Sequence, residues 1–175
     1  MSNNALPAET RIGHVHLKVA DLERAIHFYR DLMGFDLLVN MGTAAFLSAG
    51  GYHHHIGLNT WHSAGGPPPA PNTTGLYHFA INYPARRDLA QALARLLDGG
   101  WGIDGASDHG THEAIYLHDP DQNGIELAWD RPREQWPMRN GTFAFSRKSL
   151  DFADLLGELG KPAKAERLAS LAQYT

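Results

Sequence analysis

Tyr116-Leu117-His118-Asp119-Pro120-Asp121-Gln122-Asn123-Gly124-Ile125-Glu126-Leu127-Ala128-Trp129 places one carboxylate inside an otherwise apolar strand. Asp119-Pro120-Asp121 with Asn123-Gly124 is the composition of a tight turn and needs no chemistry of its own. Beyond it, Ile125, Leu127 and Trp129 alternate with Glu126 and Ala128, so one strand face packs and the other carries Glu126. If that second face is solvated, Glu126 is ordinary. If it lines a cup, the charge needs a partner, a proton or a metal ion, because an isolated buried carboxylate is strongly penalised.

The elements around this strand form a unit that occurs twice. Residues 76–83 read as a strand and 86–97 as a helix with Leu89, Leu93 and Leu97 on one face and Gly99-Gly100 as its stop. Strands at 101–103, 113–117 and 124–129 follow. Earlier, residues 11–20 read as a strand, Asp21 as the cap of a helix with Leu22, Ile26, Tyr29 and Met33 at helical spacing, and Gly34 as its end. Strands at 36–40, 44–48 and 53–60 complete that copy. Superposed, His14 matches His78, and Ile56-Gly57-Leu58-Asn59-Thr60-Trp61 matches Ile125-Glu126-Leu127-Ala128-Trp129-Asp130, so Gly57 stands where Glu126 stands.

The duplication predicts an α+β fold in which two βαβββ modules, residues 11–61 and 75–130, form a half-barrel around a metal site. Residues 62–74, with Pro67-Pro68-Pro69-Ala70-Pro71, read as a stiff linker, and residues 1–10 as an N-terminal tail. Residues 131–175 form a C-terminal extension with amphipathic helical runs at 150–159 and 163–172. Leu155, Leu156 and Leu159 there need a partner, the barrel or a second subunit, which makes a homodimer an expectation.

Composition narrows the classes. A chain of 175 residues, 43% hydrophobic, suffices for one well-buried domain. The net charge of −4, without a run of Lys or Arg, disfavours nucleic acid and anionic membrane as partners and favours a small molecule. No segment approaches a membrane span, the N-terminus lacks a signal-peptide core, and the absence of cysteine fits a reducing compartment, so a cytoplasmic location is expected. The unusual feature is 11 histidines, none in a terminal tag.

Two histidines and a carboxylate from three strands of a duplicated cup form a facial ligand set for a divalent metal, with the opposite positions open. His14, His78 and Glu126 are the candidates, and Gly57 removes what would be a fourth ligand. His53-His54-His55 opens a strand in which His53, His55 and Gly57 share a parity, so His53 or His55 looks into the cup as a proton donor or acceptor. His109, His112 and Tyr116 precede Glu126 on the neighbouring hairpin, where a phenol and an imidazole can orient a substrate and move its protons. His16 shares its strand face with His14.

Gly13-His14-Val15-His16-Leu17-Lys18-Val19-Ala20-Asp21-Leu22, Phe28-Tyr29, Gly34-Phe35, Tyr77-His78-Phe79-Ala80-Ile81 and Asp119-Pro120-Asp121 through Glu126-Leu127 together resemble the vicinal-oxygen-chelate superfamily. That superfamily comprises glyoxalase, bleomycin-resistance proteins, fosfomycin-resistance enzymes and extradiol dioxygenases. Residues 50–61 resemble its catechol 2,3-dioxygenase-like branch, although the chain has one such domain instead of two. The resemblance implies metal ligands at His14, His78 and Glu126, an acid–base histidine at His53, and substrate contacts at His109 and Tyr116. It also implies Fe(II), or Mn(II), chelating both oxygens of a catechol-like aromatic with O2 beside them, and hence a ring-cleaving dioxygenase. Alternatives within the same fold are a glyoxalase-like lyase or thiol transferase, and a non-catalytic protein that sequesters a small molecule. Gly57 argues against a four-ligand isomerase.

Overall fold

A computed structural model describes residues 5–160, Ala169 and residues 171–174; most of the run 163–172, expected as a helix, lies outside the described residues. In the first module β1 (Val15–Lys18) leads to α1 (Leu22–Ile26), which continues as a π-helical segment, His27–Leu32. Asp21 caps α1 by accepting the Arg24 backbone N–H at 3.0 Å, and the chain turns away at Gly34, whose φ of 88° is costly for residues with a Cβ. Three strands follow, β2 (Asp36–Asn40), β3 (Ala44–Ser48) and β4 (Ile56–Asn59).

The second module repeats this order with β5 (Phe79–Asn82), α2 (Arg86–Asp98), β6 (Gly105–Asp108), β7 (His112–His118) and β8 (Gly124–Asp130). The sheets run β1-β4-β3-β2 and β5-β8-β7-β6, each with its first and last strands parallel. They remain two separate four-stranded sheets, and no closed barrel forms among the described residues. Val15 pairs with Ile56 and Phe79 with Ile125, so His14 and His78 are equivalent, each one residue before its strand, and Gly57 is the counterpart of Glu126.

Four expected strands change, the one at 76–83 shortening to β5. The strand expected at 53–60 begins only at Ile56, because positive φ at Gly50 and Gly51 turns the chain and leaves His53, His54 and His55 in the bend before β4. Residues 101–103 form no strand; the pairing partner of β7 is β6, whose Gly105 lies opposite Tyr116. The strand expected at 11–20 shortens to β1, the length over which it pairs with β4.

One buried cluster runs through both modules. Leu17, Ile26, Phe28, Leu47 and Leu58 meet Leu89, Leu93, Ile115, Leu117, Ile125 and Leu127 within it. Polar bonds join the modules where apolar contact alone would leave them free to slide. The Tyr29 hydroxyl donates to Asp119 Oδ2 at 2.9 Å, and Asp121 Oδ1 accepts from the Ala20 N–H at 3.0 Å and from Arg24 Nη2 at 2.7 Å. Asp119 also accepts the N–H groups of Asp121 and Asn123, both at 2.8 Å. The Asp119-Pro120-Asp121 turn is therefore also the latch between the halves.

The C-terminal extension closes on the second module. Phe152, Leu155 and Leu156 of α3 (Phe152–Gly157) are buried, and α3 packs on α2. Arg86 anchors it by reaching Glu113 Oε2 at 2.9 Å, Asp154 Oδ2 at 2.8 Å and Glu158 Oε1 at 3.1 Å. Of the leucines that gave reason to expect a second subunit, Leu155 and Leu156 are covered within the chain and Leu159 is partly buried against the core.

Burial, then the Asp119 charge, raises the Tyr29 pKa well above its usual value, so the phenol stays a donor to the latch. Tyr29→Phe should lower stability by about 1.5–3 kcal/mol, the range for a hydrogen bond to a charged group. Urea unfolding measures this, and an unchanged midpoint would mean that Asp119 is held by its turn alone.

Candidate metal and catalytic site

Glu126 lies in the middle of β8, between Ala80 of β5 and Tyr116 of β7. It is 8% exposed, and its two oxygens have different neighbours. Oε2 is 2.9 Å from His78 Nε2 and Oε1 is 3.2 Å from His112 Nε2. The face that the alternation assigns to Glu126 is therefore a polar pocket rather than open solvent.

Tyr116 stands beside this carboxylate. Its hydroxyl is 2.9 Å from His109 Nε2, its ring is 5.7 Å from that of His78, and the His109 and His112 rings stack at 4.6 Å. Burial, then the negative charge of Glu126, raises the Tyr116 pKa, so the hydroxyl is a neutral phenol at ordinary pH. His78, His109, Tyr116 and Glu126, all anticipated from the sequence, form one group. His112 completes it through Glu126, a contact that only the β7 register reveals.

His14 and His53 belong to a second group. The His14 ring lies 4.3 Å from that of His54 and 6.3 Å from that of His53, and His53 Nδ1 is 2.9 Å from His54 Nδ1. Desolvation, then repulsion from His14 and His53, lowers the His54 pKa and keeps that ring neutral. His55 Nδ1 meets Ser48 Oγ at 3.1 Å and the Ala49 N–H at 3.3 Å, and His55 lines a cavity with His14 and His78. The two groups border on each other, since His14 and His78 both line a cavity of about 610 Å³ that Val15, Phe35, Ile56 and Phe79 also wall.

Among the described residues, no three His, Cys, Asp or Glu side chains are grouped so as to hold a metal ion. In donor chemistry the residues nevertheless fit one. A buried carboxylate oxygen already meets an imidazole nitrogen, and a second imidazole borders the same cavity, the nitrogen and oxygen set that divalent transition metals accept.

Two glycines mark close approaches. A Cβ on Gly57 would lie 2.9 Å from Cγ of the His16 ring, which fills the place that Glu126 takes in the other module, where Ala80 replaces His16. The flank expected to stand vacant at Gly57 is thus occupied by an imidazole, itself packed against the rings of Phe46 and Trp61. A Cβ on Gly124 would collide with the carbonyl oxygen of Tyr77, where the linker crosses β8 to deliver His78. Residues Pro69 to Tyr77 line a cavity of about 770 Å³ together with Tyr116 and His118.

Residues 11–127 match the model of the glyoxalase/bleomycin resistance protein/dioxygenase superfamily, and the chain belongs to that family. It is 41% identical to the catechol-2,3-dioxygenase of Bacillus subtilis over 157 residues, which are 89% of this chain but 54% of the relative, so the chain spans about half the length of that protein. It is 31% identical to the metallothiol transferase FosB of Staphylococcus epidermidis over 121 residues, 67% of this chain and 80% of the relative. A glyoxalase/dioxygenase structure from Nostoc punctiforme superposes with a TM-score of 0.59 at 22% identity, covering 75% of this chain and all of that one, a likeness of fold. Membership of this family and the first of these relatives imply a divalent metal. No helix among the described residues is long and apolar enough to cross a membrane.

The two glycines should respond differently to substitution. Gly124→Ala meets backbone and should cost about 1–3 kcal/mol, as overpacking does, whereas Gly57→Ala meets a side chain that can rotate and should cost less. Thermal unfolding of both variants tests this, and equal losses would contradict it.

Proposed function

We propose that the chain is a metal-dependent extradiol-type dioxygenase that opens a catechol-like aromatic ring with O2. The observation that carries this reading is the buried Glu126 carboxylate facing His78, with the Tyr116–His109 pair beside it. In it, His14, His78 and Glu126 are the ligands of a divalent cation, Fe(II) or else Mn(II). Such a cation supplies the centre at which catechol and O2 meet, where a ring carbon–carbon bond breaks and both oxygen atoms enter the product.

The chain's own groups do the rest. His109 orients the Tyr116 hydroxyl, which as a neutral phenol donates a hydrogen bond to a substrate oxygen beside Glu126. The substrate proton is accepted or returned by His53, tied to His54, or by His55, which lines the cavity with His14 and His78 while its Nδ1 meets Ser48 and Ala49. The apolar walls Val15, Phe35, Ile56 and Phe79 favour an aromatic ring over a free polar metabolite. The likeness to a metallothiol transferase supports a second reading, thiol transfer at the same metal ligands.

Elemental analysis, followed by anaerobic titration with catechols and a ring-cleavage assay with Fe(II), tests the proposal. Stoichiometric metal, a catecholate absorption change and a ring-opened product are expected. Absence of product across a catechol panel, together with thiol consumption in a transferase assay, would favour the second reading. His78→Ala should abolish both metal retention and the spectral change, and Tyr116→Phe should slow ring cleavage by about 10²-fold while metal is retained. Full activity of either variant would remove that residue from the mechanism.

A further inference from the structure

We propose that His112 is a positioning residue that holds Glu126 by one carboxylate oxygen and so fixes the other toward His78 as a single-oxygen metal ligand. This rests on the ligand assignment above. His112 opens β7 opposite Asp130, four residues before Tyr116, and its ring reaches Glu126 Oε1 at 3.2 Å. Oε2 meanwhile faces His78 Nε2 at 2.9 Å. The carboxylate is divided between two imidazoles.

The protonation pattern of His112 follows from its neighbours. A carboxylate oxygen only accepts, so a hydrogen bond across the 3.2 Å between His112 and Glu126 Oε1 requires the proton on Nε2. The opposite nitrogen, Nδ1, lies 2.9 Å from the hydroxyl of Thr111, a residue only 4% exposed, and can accept from it. The Thr111 hydroxyl is compatible with that tautomer, since it can donate to a bare Nδ1, and His112 restrains the rotation of Glu126. A ligating carboxylate without such a tether can turn to present both oxygens, which would use up a coordination position that two substrates need.

The same ring has a second contact. His112 stacks on His109, with 28° between the ring planes, and His109 Nε2 meets the Tyr116 hydroxyl at 2.9 Å. One imidazole therefore supports both the carboxylate ligand and the phenol expected to meet substrate. Ala114 and Ala128, paired between these side chains on β7 and β8, are too small to buttress Glu126 themselves.

The test compares wild type, His112→Gln and His112→Leu by Mn(II) titration, reading free Mn(II) by electron paramagnetic resonance against a competing chelator. Thermal unfolding of the metal-free proteins reports on folding. His112→Leu should bind Mn(II) about 10- to 100-fold more weakly, the usual loss when a residue supporting a ligand is removed. His112→Gln, whose amide keeps an N–H near the Nε2 position, should bind close to wild type, a rescue that a purely structural role would not produce. Equal affinity of wild type and His112→Leu overturns the proposal, as does a His112→Gln as weak as His112→Leu. Wild type that takes up no Mn(II) overturns the ligand assignment and this inference together. Wild type that binds Mn(II) but opens no catechol ring with Fe(II) removes only the dioxygenase reading.

Discussion

A carboxylate on the inner face of an apolar strand is the constraint to which the second sheet answers. Glu126 has Ile125 and Leu127 as neighbours in sequence, both in the core, and is itself nearly buried. Such a charge persists only with partners, and the sheet provides them from three directions: His78 ahead of β5, His112 at the start of β7, and Tyr116 directly across the ladder. Each partner needs a particular backbone path, so a demand made by one residue fixes the course of several segments.

The linker shows how far that demand reaches. His78 meets Glu126 because the chain crosses β8 at Gly124, where no side chain could fit under the Tyr77 carbonyl. The turn before β8 has an equally distant role. Asp119 and Asp121 satisfy the turn's own N–H groups and also receive Tyr29 and Arg24 from the other module, so the hairpin bearing Tyr116 and Glu126 is held against the half of the chain that carries His14. Site geometry and module packing share one set of bonds.

The duplicated modules have diverged in a complementary way. In one, a large ring at His16 lies over Gly57; in the other, Ala80 leaves room for Glu126. The volume above the parallel strand pair is filled in both, once by an imidazole packed on aromatic rings and once by a carboxylate facing imidazoles. An approximate two-fold repeat thereby becomes a one-sided site, with the carboxylate and its phenol on one sheet.

The sequence by itself determined the repeat, the order of elements, the register that equates His14 with His78 and Gly57 with Glu126, and the presence of His109 and Tyr116 near Glu126. These follow from alternation, helical spacing, caps and glycine stops, all properties of neighbouring residues. Tertiary structure decided the rest. Whether His53-His54-His55 lay in a strand depended on the two left-handed glycines before it, and the occupation of the Gly57 flank depended on a ring from another strand. The contact of His112 with Glu126 required the β7–β8 pairing, and the leucines of the extension found their cover in α2, far away in sequence. A local pattern specifies which way a side chain faces, but only the packed chain specifies what it meets there.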